Sequence, residues 1–305
     1  MSKKQLICIV GPTAIGKTSL SIRLASHFKT GIISADSRQF FREMSIGTAA
    51  PTAEELAAAP HHFIHHRSIE EDYSVGDFER DSIEKLQGLF KSHDRVILVG
   101  GSGLYLDAIT KGLDHFPEVD PAIRESLNER LEKTGIGSLQ EELKTRDPEY
   151  FSAVDQQNPH RLIRALEICI GTGKPYSSFR KENFSKRFFE SVFIGLTAPR
   201  EVVYDRINQR VDKMMEEGLL EEAKQLYPHR ELNSLNTVGY KELFRYLEEA
   251  ITLEQAIDEI KKNTRRFAKR QFTWFKKNEQ IKWFDYTTPA EEIITYLENQ
   301  KDQSS

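Results

Sequence analysis

Cysteine is scarce in this chain of 305 residues, which contains only Cys8 and Cys169. Two cysteines so far apart provide neither a disulfide framework nor a Cys-x-x-Cys metal or redox motif, so we expect two buried, inert thiols. Long apolar runs are also missing, since none approaches the ~18 residues of a membrane span. The apolar stretch before Gly11 is too short for a signal peptide. We therefore expect a cytoplasmic protein with no membrane partner.

An excess of positive charge is missing as well, because 47 acidic residues face 43 Lys and Arg and the net charge is −4 at pH 7. This balance argues against binding to nucleic acid through overall charge, but it permits a local basic face. A basic segment with interleaved aromatic residues occupies 261–277, KKNTRRFAKRQFTWFKK. The segment could be the solvated face of a helix over 253–276. We favour a helix whose aromatic residues pack inward while four cations face nucleic-acid phosphates, namely Arg265, Arg266, Lys269 and Arg270.

Short apolar runs with the composition of buried β-strands recur along the chain, at 5–10, 31–35, 96–99 and 192–196. Each is followed by Gly, Pro, Ser or Asp and then by a helical pattern, which is typical of a parallel sheet covered by helices. From about 114 to 187 only helical patterns occur, including 121–133 and 159–170, the second with Asn158 as N-cap. We therefore predict an α/β protein with a P-loop NTPase-like core, 1–114 and 188–305, and a helical insertion, 115–187.

A phosphate-binding motif follows the first strand. The sequence GPTAIGKT, from Gly11 to Thr18, matches G-x-x-x-x-G-K-[ST] and stands between a strand and a helix. Its backbone N–H groups and the helix N-terminus would bind phosphate, Lys17 would add a charge, and the Thr18 hydroxyl would bind Mg²⁺. The loop alone does not distinguish ATP, GTP or another diphosphate.

An acidic residue, Asp36, stands at the carboxyl end of the second strand, where ligands of open α/β sheets collect. Its carboxylate could act as a general base or support a magnesium ion, or it could simply cap the next turn. The polar and aromatic residues that follow, 37–49, form a loop that could receive a base.

Several motifs in fixed order resemble one family over about residues 5–285, the tRNA dimethylallyltransferases, also called isopentenyltransferases. These motifs are GPTAIGKT, ADSRQFF with MSIGTA, VGGSGLYL, NPHRLIRALE, FIGLTAPREVVYDRINQRVDKMMEEGL, NTVGYKEL and RRFAKRQFTWFKK. The resemblance implies transfer of a dimethylallyl group from dimethylallyl diphosphate to the exocyclic N6 amine of the adenosine immediately 3′ of the anticodon, with release of diphosphate. The implied partners are the anticodon stem-loop of tRNA, the prenyl donor and Mg²⁺, and we expect a monomer.

The resemblance also assigns roles to residues of the core. The donor diphosphate would lie on Gly11, Pro12, Thr13, Ala14, Ile15, Gly16, Lys17 and Thr18, with Mg²⁺ on Thr18. Asp36 matches the family's acid that takes a proton from the adenine amine. Arg206 and Arg210 lie four apart on the helix after the fourth strand, and we favour Arg210 as a diphosphate clamp over a surface charge.

Contacts to tRNA are implied at a further set of positions: Asp36, Ser37, Arg38, Gln39, Ser102, Arg124, His160, Arg161, Leu162, Ile163 and Arg164. Ser102 stands where the family usually has Thr, so the hydroxyl is kept. Phe41 stands where Tyr is common, so a phenol hydrogen bond is lost but stacking or packing is not. For Arg161 and Arg164, which lie three apart on one helix face, the alternative is surface solvation.

Two other functions compete with this interpretation. An ATP-dependent small-molecule or nucleoside kinase would use the same phosphate loop, but the basic aromatic segment and the ADSRQ loop argue against it. A non-catalytic RNA-binding module is disfavoured because Lys17, Thr18 and Asp36 are intact. The run HHFIHH, 61–66, contains imidazoles at a chelating spacing, but we do not expect a metal there.

Overall fold

The computed structural model describes residues 4–180 and 186–302, with side chains up to residue 300. Its centre is a six-stranded sheet in which every pair of neighbouring strands is parallel. In chain order the strands are β1 Gln5–Val10, β2 Ile32–Ser34, β3 His61–His62, β4 Arg95–Val99, β5 Glu190–Thr197 and β6 Lys282–Asp285. Across the sheet their order is β3-β2-β4-β1-β5-β6.

All four predicted strands are confirmed as β1, β2, β4 and β5, whereas the two edge strands were not predicted. Strands β1, β2 and β4 are almost wholly buried and β5 is buried over its apolar centre, and burial on both faces of the sheet favours such continuous apolar runs. By contrast, β3 is two residues long and β6 is exposed at two of its four positions, so neither has a readable apolar pattern.

Thirteen α-helices occur among the described residues. They are α1 Lys17–Phe28, α2 Ala53–Ala58, α3 Val75–Leu89, α4 Gly103–Thr110, α5 Pro121–Thr134, α6 Ile136–Arg146, α7 Pro148–Ala153, α8 Pro159–Thr172, α9 Arg200–Glu216, α10 Leu219–Leu226, α11 Tyr240–Leu247, α12 Leu253–Phe275 and α13 Ala290–Asp302. The helices predicted at 121–133, 159–170 and 253–276 are confirmed as α5, α8 and α12. No helix of the described chain is long and apolar enough to cross a membrane.

Side chains of β1 alternate between two apolar layers, one on each face of the sheet. Ile7 and Ile9 pack with buried residues of α1, α9 and α13. Leu6, Cys8 and Val10 pack on the other face with α3, α4 and the end of α12. This two-sided cover confirms the α/β class, and burial of the Cys8 thiol agrees with the expected inert cysteine.

A third apolar cluster lies among α9–α12 and the loop after β2. Val211, Leu219, Leu243 and Ile260 contribute to it from the four helices, and Phe41 is buried among them. Phe41 therefore packs into the core, which is the packing alternative considered for this position.

Backbone contacts divide the chain into two compact units, Met1–Lys111 with Lys186–Ser305, and Gly112–Ser185. The second unit contains α5–α8 around its own apolar core, which includes Leu127, Leu143 and Leu162. Asn158 caps α8 as predicted, because its side-chain oxygen accepts a hydrogen bond from the Arg161 N–H at 3.3 Å. Cys169 is buried in this core as a free thiol, as expected.

Candidate active site

The phosphate loop joins β1 to α1 and approaches β5 closely. Gly11 has φ +143°, and a Cβ atom there would lie 2.7 Å from the carbonyl oxygen of Leu196. Only glycine therefore fits this position without a shift of the backbone. The Lys17 ammonium folds back over the loop and donates to the carbonyl oxygens of Gly11 and Pro12, at 3.0 and 2.8 Å. The positive charge predicted for this loop is therefore held directly above it.

The pKa of Lys17 is lowered to about 7, first by burial and then by the nearby charge of Arg210. The Asp36 carboxylate acts in the opposite direction and raises it. A diphosphate bound beside this ammonium would favour its charged form in the same way.

Two arginines of α9 reach the phosphate loop. Arg206 Nε donates to the Ala14 carbonyl oxygen at 2.7 Å, and one turn later Arg210 Nη1 lies 3.4 Å from Thr13 Oγ1. Burial lowers the pKa of Arg210, and the charge of Arg206 lowers it further. The structure thus brings Arg210 to the loop predicted to bind diphosphate, whereas the sequence left a surface position open.

Asp36 follows β2 and lies close to the same loop. Burial raises the pKa of its carboxyl group, against the lowering effects of the Arg38 N–H hydrogen bond and of Lys17. That hydrogen bond, 3.2 Å from Arg38 N to Asp36 Oδ1, closes a turn and leaves the second carboxylate oxygen for another role. A carboxylate with a raised pKa beside a phosphate loop is suited to accept a proton.

Two cavities meet at this carboxylate. The larger, about 650 Å³, is lined by the phosphate loop from Thr13 to Ser19, by Arg206 and Arg210, and by apolar side chains that include Ile46, Leu56, Ile64 and Met214. The smaller, about 160 Å³, is lined by Asp36, Ser37, Arg38, Ser102 and Phe267 among others. Thr13, Asp36 and Arg210 line both. One side of Asp36 therefore faces space for a diphosphate with an apolar tail, and the other faces a second space whose lining is both polar and apolar.

A loop segment shared by both cavities is 45–49, and Glu222 of α10 holds it. Its carboxylate accepts hydrogen bonds from the backbone N–H groups of Ser45, Ile46 and Gly47, at 3.0, 2.8 and 2.9 Å. The Tyr240 hydroxyl donates a fourth at 2.7 Å. Glu222 was not predicted, because an acid in an amphipathic helix has no local sign of such a role.

Two of the side chains predicted to contact tRNA already have partners within the chain. Gln39 Nε2 donates to the carbonyl oxygens of Thr48 and Ala49, at 3.3 and 3.1 Å. Arg38 Nη1 donates to the carbonyl oxygens of Asn233 and Ser234, at 3.1 and 2.8 Å. Gln39 therefore braces the loop at the larger cavity, which it lines, whereas Arg38 lines the smaller cavity together with Ser37 and Ser102.

Helix α12 supplies a wall of the site through residues spaced four and three apart. Ile260, Thr264 and Phe267 line the smaller cavity. One turn further, Gln271 Oε1 accepts a hydrogen bond from the Thr13 N–H at 2.8 Å, and its Nε2 donates to the Gly101 carbonyl oxygen at 3.0 Å. Gln271 was missed because nothing in a basic aromatic run indicates a contact with the other end of the chain.

The expectation that the aromatic residues of this helix pack inward is correct for Phe275 and wrong for Phe267 and Trp274. Phe267 is 39% exposed and Trp274 is 42% exposed. The buried stripe instead contains Ala268 and Gln271, which are small or polar enough to approach the phosphate loop. Arg266, Lys269 and Arg270 are exposed as predicted, while Arg265 Nη1 donates to Asn208 Oδ1 at 2.7 Å.

In the second unit the stretch 160–164 divides between surface and core. His160 and Arg161 are exposed, whereas Leu162 and Ile163 are buried in the unit's apolar core and have no side-chain surface for RNA. Within this stretch, only the polar side chains remain candidates for the predicted contact with tRNA. Arg124 and Arg164 both pair with the largely buried Glu167, at 2.6 and 3.4 Å.

The histidine run lies partly at the larger cavity. His61 and His65 line it, while His66 packs edge-on against Phe40 and Tyr73. The pKa of His66 is lowered to about 4, mainly by burial. Within the described residues no group of three or more His, Cys, Asp or Glu side chains could hold a metal ion.

Comparison with known sequences shows one family along nearly the whole chain. The model for IPP transferases matches residues 39–278. The chain is 62% identical over 294 residues to the tRNA dimethylallyltransferase of Christiangramia forsetii, covering 96% of this chain and 97% of that one. It is 59% identical over 300 residues to the tRNA dimethylallyltransferase of Flavobacterium johnsoniae, with the same coverage.

Solved structures agree with this result. The full-length tRNA isopentenylpyrophosphate transferase of Bacillus halodurans matches with a TM-score of 0.74 at 39% identity, covering 99% of this chain and 98% of that one. A eukaryotic dimethylallyltransferase acting on tRNA matches with a TM-score of 0.78 at 29% identity, covering 93% of this chain and 74% of that one.

Proposed function

Because this chain belongs to the IPP transferase family, we propose that it transfers a dimethylallyl group from dimethylallyl diphosphate to an adenosine of tRNA. The acceptor is the exocyclic N6 amine of the adenosine immediately 3′ of the anticodon, and diphosphate is released. The observation that carries the proposal is the position of Asp36 on the wall shared by the two cavities. The donor occupies the larger cavity and the extruded base enters the smaller one.

The reaction is a displacement at the allylic carbon. The N6 nitrogen forms a bond to the allylic carbon while the bond between that carbon and the diphosphate oxygen breaks. The amine proton passes to the Asp36 carboxylate. An adenine amine is a poor nucleophile, so the site must hold the two reactants in line. The leaving diphosphate gains negative charge, which Lys17, Arg210 and the N–H groups of the phosphate loop stabilise.

A magnesium ion fits the oxygen ligands available at the larger cavity. The Thr18 hydroxyl lies in its wall and has no hydrogen-bond partner among the described residues, and the Asp36 carboxylate lines the same space. Hydroxyl and carboxylate oxygens are the ligands Mg²⁺ prefers, so we propose that Thr18 holds it with Asp36 nearby. When bound, the ion would neutralise charge on the diphosphate.

Recognition of tRNA is proposed to combine backbone contacts with a pocket for the flipped base. A base normally stacked in the loop must be extruded before its amine can react. The exposed Arg266, Lys269 and Arg270 on α12, and Arg161 in the second unit, would contact phosphates. The kinase alternative is not favoured, because relatives matching almost the whole chain are dimethylallyltransferases.

The test is transfer of radiolabel from dimethylallyl diphosphate to an unmodified tRNA transcript in the presence of Mg²⁺. The matched control transcript carries guanosine immediately 3′ of the anticodon. Label in the first transcript and not in the second supports the proposal. Equal labelling, or transfer of phosphate from labelled ATP to a small molecule without prenyl transfer, would refute it.

A further inference from the structure

We propose that Gln271 is a positioning residue for the donor site, an inference that rests on the proposed function. The residue is 6% exposed, and its side chain bridges two loops of the core. The carbonyl oxygen of the side-chain amide accepts a hydrogen bond from the Thr13 N–H at 2.8 Å. The amide nitrogen donates to the Gly101 carbonyl oxygen at 3.0 Å. One side chain therefore fixes the phosphate loop against the turn that follows β4.

Both loops carry parts of the site. Thr13 lines both cavities and is approached from α9 by Arg210, so the amide and the guanidinium hold the same residue from two helices. The turn contains Gly101, where a Cβ atom would collide with the Gln271 amide, and the neighbouring Gly100 packs against the backbone of Ala35. Ala35 directly precedes Asp36. The bridge thus sets the distance between the phosphate loop, which would hold the diphosphate, and the end of β2, where Asp36 is the proposed base.

The two hydrogen bonds of the bridge run in opposite senses, and an amide side chain can make both. Thr13 presents a donor and Gly101 presents an acceptor, so the side chain must accept at one atom and donate at the other. A carboxylate can accept from Thr13 but has no proton for Gly101. The protonated carboxyl group restores the donor, and burial favours that neutral form. The charged side chains that line the adjoining cavities, together with the imidazoles of His61 and His65, are Lys17, Asp36, Arg38, Glu55, Arg206, Arg210, Lys213 and Glu217.

A purely structural role would look different from a positioning role. If Gln271 only fastened α12 to the core, its loss would lower the melting temperature without changing the kinetics of the folded enzyme. If it positions the donor loop, its loss changes donor kinetics well below the melting temperature. Gln5 provides a matched control, because it is also buried, and its Oε1 accepts a hydrogen bond from Arg95 Nε at 3.0 Å.

The experiment compares the wild type with Gln271→Met, Gln271→Glu and Gln5→Met. For Gln271→Met we expect kcat/KM for dimethylallyl diphosphate to fall by roughly 100-fold, the loss typical of a misplaced reactant. Binding of inorganic diphosphate should weaken, and affinity for tRNA should not change. For Gln271→Glu, the ratio of its kcat/KM to that of the wild type should rise as the pH is lowered. Gln5→Met should lower the melting temperature and leave the kinetics unchanged.

Wild-type donor kinetics and diphosphate binding in folded Gln271→Met would overturn the inference, and so would a pH-independent ratio for Gln271→Glu. Failure of the proposed function gives a different result, namely no prenyl transfer by the wild type. In that case the effect of Gln271→Met on diphosphate binding still decides whether the residue positions the loop.

Discussion

Arg206 Nε donates a hydrogen bond to the carbonyl oxygen of Ala14 at 2.7 Å, so α9 is attached to the phosphate loop. Ala14 has φ +64°, a left-handed conformation that a non-glycine residue adopts only when its surroundings hold it. The attachment leaves Arg210, one turn later, directed at Thr13 rather than at solvent. The proposed stabilisation of the leaving group by Arg210 therefore depends on where α9 is held.

We predict that Arg210→Ala lowers kcat by about 100- to 1000-fold, the loss typical of removing one donor that stabilises transition-state charge. Affinity for tRNA should fall much less than kcat, because the guanidinium reaches Thr13 of the phosphate loop, although Arg210 also lines the smaller cavity. The matched control is Arg200→Ala, at the exposed start of the same helix, which should react like the wild type. Single-turnover transfer measures both, and a fully active Arg210→Ala variant would exclude a clamping role.

The pH dependence of the reaction follows from Asp36. Burial raises the pKa of this carboxyl group above its ordinary value, and only the deprotonated form can accept the amine proton. As the pH falls through the raised pKa, kcat/KM should therefore decline by about tenfold per pH unit. The apparent pKa should lie above ~3.9, the value of a free Asp side chain. A rate that stays constant across this range, while tRNA binding is retained, would argue against Asp36 as the base.

Glu222 should affect both stability and donor binding, because four hydrogen bonds from the loop and from Tyr240 converge on its carboxylate. Glu222→Gln places an amide N–H group against other donors. We expect a loss of about 1–3 kcal/mol in the free energy of unfolding. The KM for the donor should rise, because the loop 45–49 lines its cavity.

Glu221→Gln is the control for that variant, since the neighbouring acid is exposed and pairs with the surface residue Lys224. Urea unfolding and donor titration should distinguish the two substitutions. Equal behaviour of both variants would show that the convergent hydrogen bonds do not determine the position of the loop.

Phe267 offers a test of how tRNA is held. It is exposed, yet it lines the smaller cavity beside Asp36 and Ser102. Loss of a stacked aromatic residue weakens binding to an unpaired base by ~1–3 kcal/mol, and we expect this loss for Phe267→Ala. The dependence of tRNA affinity on salt concentration should not change in this variant. In Lys269→Ala, by contrast, the slope of log K against log salt concentration should fall by about one, because one phosphate contact is lost.

The control for Phe267→Ala is Phe188→Ala, because Phe188 is 46% exposed and lines neither cavity. Filter binding at several salt concentrations measures the affinity and the slope together. If the Phe267 and Phe188 variants bind tRNA equally well, the smaller cavity does not receive a base.

How far the sequence predicts this molecule depends on whether a feature is local. The phosphate loop, Asp36 and the Asn158 cap are each visible within a few residues, and the structure places them in the expected settings. Strand β3 and strand β6 lack a buried apolar run and were missed. Gln271 binds a residue 258 positions away, and no local pattern marks a contact of that kind.

The sequence also did not show which residues within a motif would be buried. Leu162 and Ile163 belong to a stretch assigned to tRNA as a whole, but the helix turns them into the apolar core. Arg124 and Arg164 share Glu167, a pairing that joins two helices and could not be read from either one. The family resemblance implied the reaction, whereas packing decides which residues of each motif have a side chain free to contact tRNA.

The most direct test of the account concerns Asp36 as proton acceptor on the wall between the two cavities. The measurement is single-turnover prenyl transfer by Asp36→Asn, with donor and tRNA both saturating, beside the binding affinities for each substrate. The amide keeps the shape of the side chain and one oxygen that can accept from the Arg38 N–H, but it cannot take a proton at neutral pH. The account predicts a rate lower by about 100- to 10,000-fold with the tRNA bound as tightly as by the wild type. Transfer by Asp36→Asn at the wild-type rate would contradict it.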